Sequence, residues 1–170
     1  MILVGIGSNL AAPGYRSPQD TATAAVARLP AIGAAIVAGS PWYLSQPVPA
    51  SDQPWFVNGV VEVATALPLA ELLARLLALE AQFGRVRGAR DAARTLDLDL
   101  LDYDGWECST PDLVLPHPRL HGRRFVLAPL CDIVPDWRHP RLGLTAAELL
   151  AGLPPGQPIR RVASPKAGAY

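Results

Sequence analysis

Residues 94 to 100 read Arg-Thr-Leu-Asp-Leu-Asp-Leu, and this alternation constrains the fold more than any other stretch. In a strand successive side chains point to opposite faces. Leu96, Leu98 and Leu100 therefore enter a core together, while Asp97 and Asp99 stand side by side on the other face. Two adjacent carboxylates repel each other unless something positive sits between them. An oxygen pair with no sulfur or imidazole beside it suits a hard cation such as Mg²⁺. Arg85, Arg87, Arg90 and Arg94 crowd the same neighbourhood. Carboxylates for a metal beside arginines for a polyanion suit a nucleotide polyphosphate site. The plainer alternative is a half-exposed sheet whose aspartates face basic neighbours, and Asp-x-Asp alone is too short to decide.

Bulk properties narrow the classes. At 170 residues the chain is read as one domain, with a compact core over roughly 1–162 and a tail over 163–170. A net charge of zero argues against a general nucleic-acid binder. No apolar run approaches the roughly 20 residues needed to span a bilayer. The N-terminus, Met-Ile-Leu-Val-Gly-Ile-Gly-Ser-Asn, lacks a basic region and reads as a first strand, not a secretory signal. Cys108 and Cys131 form no spacing motif, which suits reduced thiols in the cytoplasm. Lys166 is the only lysine, so nearly all positive charge is arginine, whose planar fork grips phosphate. A coding bias toward Ala, Pro and Arg accounts for that total, but not for the cluster at 85–94.

The order of elements suggests the topology. Residues 2–7 form an apolar strand ending at Gly7-Ser8-Asn9. Ser17 as N-cap and Pro18 at the first helical position open a helix running to about Leu29. Ile32 to Tyr43 reads as a second strand, Ser45 to Pro54 as a loop and Trp55 to Thr65 as a third strand. Leucines from Leu69 to Leu79 recur at helical spacing up to Phe83, with Gly84 closing the helix. A loop over 85–93 leads into the Asp-x-Asp strand, which turns near Asp104-Gly105. Residues 113–118 look extended, and 124–133 read as a short helix. Thr145 and Glu148 are spaced as a capping box, and a last strand falls near 159–162. The plan is β-α-β-β-α-β with additions: a ferredoxin-like α+β fold, an antiparallel sheet with helices packed on it.

Several motifs compete for a chemical role. Gly5-x-Gly7 invites a dinucleotide site, but Leu10 occupies the third glycine position. Gly7-Ser8 with a later Asp-x-Asp is also weak for a polymerase-β-type nucleotidyltransferase, because about 90 residues intervene. Phe56 and Asn58 share a strand face, so a ring for stacking lies beside an amide able to read a flat heterocycle. The plainer alternative is a core Phe and a turn-forming Asn before Gly59. Prolines pin His117, Arg119, His121, Arg123 and Arg124 on a stiff, largely exposed basic strip suited to phosphate oxygens or simply to solvent. The histidines have no partner at ligand spacing, and no nucleophile-elbow sequence appears.

Taken together, the chain resembles the bacterial 6-hydroxymethyl-7,8-dihydropterin pyrophosphokinases of folate synthesis. The resemblance runs from Gly7-Ser8-Asn9-Leu10 to about Trp137. Its most specific parts are Gln53-Pro54-Trp55-Phe56-Val57-Asn58, Gly84-Arg85-Val86-Arg87, Arg94-Thr95-Leu96-Asp97-Leu98-Asp99 and Pro116-His117-Pro118-Arg119-Leu120. It implies a ferredoxin-like fold and transfer of the β,γ-diphosphate of ATP to the pterin hydroxymethyl group, with AMP as the other product. It implies that Asp97 and Asp99 bind two Mg²⁺ ions. It places Phe56 and Phe125 around the pterin ring, Asn58 on its pyrimidine edge, and Ser45 and Val48 in the rest of that pocket. Arg85, Arg87, Arg94, His117 and Arg123 match phosphate- or ATP-facing positions, and Glu80 a helix residue near the nucleotide. Arg85 and Arg94, on or beside a mobile loop, join Asp97 and Asp99 as the catalytic set. Small-molecule partners, no nucleic acid or membrane partner, and a monomer are expected.

Some positions depart from that pattern. Asp91-Ala92-Ala93 stands where members often carry a tryptophan and a proline before the arginine. Pro118 replaces a tyrosine found in some members, and Asp112 stands where some place an arginine near the nucleotide. Two other classes remain at this point: a nucleotidyltransferase using the same carboxylates, which would release pyrophosphate, and a non-catalytic ferredoxin-like ligand-binding module.

Overall fold

β1 (Ile2–Ser8) is central to the sheet, pairing antiparallel with β4 (Phe56–Ala64) on one side and β5 (Asp97–Tyr103) on the other. A computed structural model describes residues 1–86, 88 and 92–163 of the chain. The sheet order is β5-β1-β4-β3-β8, with β3 (Tyr43–Ser45) and β8 (Ile159–Arg161) at one side and β2 (Ala35–Gly39) also pairing with β4. Every pairing in it is antiparallel. The fold is ferredoxin-like α+β.

Helices cover both faces of the sheet, not only one. On the first face Val4, Ile6, Leu96, Leu98 and Leu100 pack against α1 (Pro18–Arg28) and α2 (Leu69–Gln82). On the second, Leu3, Val60 and Leu101 pack against α3 (Arg124–Ile133) and α4 (Ala146–Ala151). The additions beyond the β-α-β-β-α-β unit build this second layer. It matters for function, because Asp97 and Asp99 share the face of Leu101, the one α3 only partly covers.

Local signals explain the boundaries. Ser17 Oγ accepts the Asp20 N–H, and Pro18 sits where its missing N–H is no loss. At the end of α2, Gly84 (φ 76°) donates to Ala81 and Arg85 donates to Glu80, the two bonds of a Schellman closure. That closure aims Arg85 back at the sheet. Asp104 and Gly105 (φ 52° and 70°) turn the chain after β5. Thr145 and Glu148 form the full capping box of α4.

The single strand expected over 32–43 is instead broken. Residues Pro30–Ile32 form a 3₁₀ turn, β2 follows, and Ser40-Pro41-Trp42 interrupts before β3. Pro41 has no N–H for a ladder, and the Val60 N–H is met by a side chain, Ser40 Oγ accepting it at 3.0 Å. Ser45 accordingly ends β3 and does not open the loop. A short hairpin of β6 (Cys108–Ser109) and β7 (Val114–Leu115) lies outside the main sheet.

Candidate active site

The carboxyl-bearing face of β5 looks across to glycines. In the β1–β5 register Gly7 pairs with Asp97 and Gly5 with Asp99. With no side chain at Gly7 the floor beside Asp97 stays open, while at Gly5 the Leu101 side chain leans in, 3.3 Å from where a Cβ would stand. Two clefts meet over this floor. The smaller, of about 200 Å³, holds Ser45, Val48, Phe56, Asn58 and Phe125. The larger, of about 690 Å³, holds Glu80, Arg85 and Asp112. Arg94, Asp97, Asp99, His117 and Arg119 wall both.

The smaller cleft is built from β3, β4 and α3. Asn58 lies mid-strand, which rules out the turn-forming alternative. Gly59 is needed there because a Cβ would stand 2.7 Å from the Trp42 ring. Asn58 Nδ2 donates to Ser45 Oγ at 2.7 Å, fixing the amide with its oxygen toward Gly7. Phe56 and Phe125 carry guanidiniums over their rings, Arg94 at 5.7 Å and Arg123 at 5.3 Å from the centroids. Val48 is exposed at the rim.

Asp97 is paired twice. Arg94 Nη1 donates to Asp97 Oδ2 at 2.6 Å, and Arg85 Nη2 lies 3.6 Å from Oδ1. Burial and the neighbouring Asp97 push the Asp99 carboxyl up to about 6, although Arg123, Arg94 and Arg119 oppose the shift. A carboxylate raised by burial and a like charge favours a cation at that place. The pair therefore fits a hard divalent ion. Among the described residues no group of three His, Cys, Asp or Glu side chains gathers for a metal. Two carboxylates leave the remaining ligand positions to water and phosphate, the usual way Mg²⁺ is bound.

His117 is held between Pro116 and Pro118. Its Nδ1 accepts the Arg119 N–H at 3.2 Å, which leaves Nε2 as the donor of a neutral ring. Burial first, then the Arg123 and Arg119 charges, push its pKa down to about 4. The basic strip expected over 117–124 thus divides. His117 and Arg123 are half-buried and face the clefts, and Arg119 is exposed at their junction. His121 instead lies edge-on to His139 at 5.7 Å, and Arg124 borders neither cleft.

Glu80 stands on the wall of the larger cleft but is only 7% exposed. Its Oε1 accepts the Leu98 N–H at 2.6 Å, between the two aspartates. It clamps the outer edge of β5 to α2. Arg87, expected at the nucleotide, lies outside the described residues.

Two contributions escaped the sequence reading. Gly5-x-Gly7, set aside as a failed dinucleotide motif, lines the floor of the smaller cleft, packed by Leu101 at Gly5 and open at Gly7. Asn9 is a bracket: its Oδ1 accepts the Arg94 N–H at 2.8 Å, and its Nδ2 donates to Gln53 Oε1 and Pro54 O. Ser8 Oγ adds a 2.6 Å bond to Thr95 O. Gly7-Ser8-Asn9 was visible as a turn-rich tripeptide, but nothing local shows that it meets chain 44 and 85 residues away.

Comparison with known proteins agrees with this geometry. A family model described as 7,8-dihydro-6-hydroxymethylpterin-pyrophosphokinase (HPPK) matches residues 3–135. A Pseudomonas aeruginosa 2-amino-4-hydroxy-6-hydroxymethyldihydropteridine pyrophosphokinase is 44% identical over 153 residues, covering 90% of this chain and 91% of that protein. A Synechocystis protein of the same name is 39% identical over 154 residues, covering 87% and 73%. Among solved structures, an HPPK-DHPS in complex with substrates superposes with a TM-score of 0.64 at 15% identity. A Plasmodium falciparum HPPK-DHPS gives 0.64 at 13%. Each match covers 88% of this chain and 42% of the structure's chain, and establishes likeness of fold.

Proposed function

The chain belongs to the 7,8-dihydro-6-hydroxymethylpterin-pyrophosphokinase family and is a diphosphokinase of folate biosynthesis, and we propose that its two joined clefts divide the work between them. The pterin occupies the smaller cleft, ATP the larger, and the β,γ-diphosphate crosses at the shared wall. The observation that carries this is that wall itself: Asp97, Asp99, Arg94, His117 and Arg119 border both clefts.

Phe56 and Phe125 offer rings to the pterin, and Asn58, held by Ser45, offers its amide oxygen to the donor edge of the heterocycle. Val48 closes the rim. The hydroxymethyl oxygen then points toward the carboxylate wall. It bonds to the β-phosphorus as the bond from that phosphorus to the α,β-bridging oxygen breaks, and AMP leaves with the oxygen. The hydroxyl proton is lost to water or phosphate, since no side chain here stands out as a base.

Asp97 and Asp99 would hold Mg²⁺, two ions with ATP, which would supply charge neutralisation of the phosphates and lower the pKa of the hydroxyl. Arg85, Arg94 and Arg123 bring fixed positive charge to the oxygens that gain charge in the transition state. His117 adds a neutral donor at Nε2. Arg87 belongs to the same set on sequence grounds. Glu80 supports β5 from behind, so we assign it to positioning and not to direct contact with ATP. Closure of the 85–94 loop would exclude water and limit wasteful hydrolysis of ATP. The protein acts as a cytoplasmic monomer on small molecules. Among the described residues no helix is long and apolar enough to cross a membrane.

The test is ATP turnover with 6-hydroxymethyl-7,8-dihydropterin and Mg²⁺. Pterin-dependent AMP is expected. Release of pyrophosphate from ATP, or no turnover at all, overturns the reading.

A further inference from the structure

We propose that Arg119 binds the phosphate chain of ATP at the point where the two clefts meet, as a further arginine of the transfer site. The inference rests on the pyrophosphokinase reading and adds a residue to it. Five residues border both clefts. Four have an assigned part: two carboxylates for metal, Arg94 paired to Asp97, and His117 as a neutral donor. Arg119 is the fifth.

Its surroundings separate it from the other arginines. Arg85 and Arg94 are already compensated by Asp97. Arg123 lies over the Phe125 ring on the pterin side. Arg119 is exposed, and among the described residues its guanidinium has no carboxylate within ion-pair distance and no hydrogen-bond acceptor. Its charge is nonetheless felt inside the site, at Asp99, His117 and Arg123. Asp112, on the same side of the larger cleft, contributes a negative charge where a polyanion needs a positive one.

The backbone holds Arg119 in place. Pro118 fixes the preceding dihedral, and the Arg119 N–H is bonded to His117 Nδ1. The His117 tautomer and the launch point of Arg119 are therefore set by one hydrogen bond. An uncompensated guanidinium opening to both clefts, beside a metal-binding pair, matches the β- and γ-phosphate oxygens that must pass from one side to the other.

The test uses Arg119→Ala and Arg119→Lys in the full chain, with kcat and both KM values, and calorimetric binding of α,β-methylene-ATP and of AMP, each with Mg²⁺. Losing a charge-assisted bond to phosphate corresponds to about 10- to 100-fold. Arg119→Ala should weaken α,β-methylene-ATP by that factor and leave AMP, which lacks the outer phosphates, within about twofold. The KM for pterin should hold, and Arg119→Lys should recover part of the loss. Thermal midpoints should match the wild type, because the side chain has no described partner to lose. Equal losses for AMP and the triphosphate analogue, or no loss for either, overturn the assignment. Failure of the wild type to form AMP from ATP and pterin would strike the reading beneath it instead, so the two failures are distinct.

Discussion

Arg94 Nη1 donates to Asp97 Oδ2 at 2.6 Å, and this bond joins the end of the 85–94 loop to the first carboxylate of β5. The same guanidinium lies 5.7 Å from the Phe56 ring centre, and its Nε donates to Ala92 O. Arg94 therefore touches the aspartate pair and the Phe56 ring of the smaller cleft at once. On the proposed reading Arg94 exchanges these contacts for substrate oxygens as the site fills. Arg94→Ala should lower kcat by about 10²- to 10³-fold, the scale for one lost transition-state donor. KM values should move far less, because its part is played in the reacting state. Steady-state kinetics decide the matter, and an unchanged kcat removes Arg94 from the chemistry.

Asp97 and Asp99 give a prediction about metal and pH together. Asp97→Ala or Asp99→Ala should abolish transfer while the far-ultraviolet dichroism remains that of the wild type. Chelation by EDTA should do the same reversibly. Burial and Asp97 raise the Asp99 carboxyl to about 6, so protons would compete with a cation there. The Mg²⁺ concentration needed for half-maximal rate should rise as pH falls from 7 to 5. A requirement that stays flat over that range contradicts a metal on Asp99.

How far these features could be read in advance varies with distance along the chain. The alternation at 96–100 is local, and the faces it implied are the faces found. The capping box at Thr145, the N-cap at Ser17 and the closure at Gly84 are equally local. The break at Ser40-Pro41-Trp42 depended on Gly59 making room for Trp42 and on Val60 bonding Ser40 across strands. Pro41 is a local sign of the break, but the contacts to Gly59 and Val60 lie outside any window over 32–43. Asn9 and Gly7 gained their parts only through register with β5 and contacts to residues 53, 54 and 94. His121 and Arg124 looked like members of the basic strip because sequence proximity does not say which way a side chain leaves the 3₁₀ turn Leu120–Gly122 or the first residue of α3.

Glu80 offers a test of fold and not of turnover. Desolvation is the main reason its carboxyl rises to about 7, with Asp97 and Asp99 adding to the shift and the Leu98 N–H opposing it. Its pKa in the unfolded chain is near 4.5. Between these values the folded state binds more protons than the unfolded one, so stability falls as pH rises through that window. Glu80→Gln keeps an acceptor for Leu98 without the charge. It should be more stable than the wild type at pH 8, by on the order of 2 kcal/mol after allowance for solvent screening, and near parity at pH 4.5. Denaturant midpoints without added metal, at both pH values, are the measurement. A variant weakened more at pH 8 than at pH 4.5 would show instead that the carboxylate charge itself is favourable there.

Gly7 tests the floor of the clefts. A Cβ there would sit 3.6 Å from Asn58 Oδ1 and 3.8 Å from Asp97 Cβ, ordinary contact distances. Gly7→Ala should therefore fold and retain activity within about tenfold. Gly7→Leu sends three more carbons into the space between the Asn58 amide and the carboxylate wall. It should remain folded, since that space is open cleft and not core, but lose pterin binding measured by fluorescence. Undiminished pterin affinity in the leucine variant would mean that the heterocycle does not reach this floor.

Asn9 is the joint between Arg94 and the segment ahead of Phe56. It is 1% exposed, and it bonds the Arg94 backbone on one side and Gln53 and Pro54 on the other. Removing its amide leaves buried groups unpaired, which costs about 1–3 kcal/mol. Asn9→Ala should therefore lower the thermal midpoint by several degrees. It should also reduce kcat below what the lost stability explains at 20 °C, where the variant stays folded, because Arg94 and the segment ahead of Phe56 lose their common anchor. Asn9→Asp separates the two effects. An aspartate still accepts the Arg94 N–H but cannot donate to Gln53 or Pro54. Recovered kcat with a raised pterin KM would place the catalytic effect in the Arg94 bond and the binding effect in the 53–54 bond. If Asn9→Ala turns over normally at 20 °C, the bracket serves stability alone.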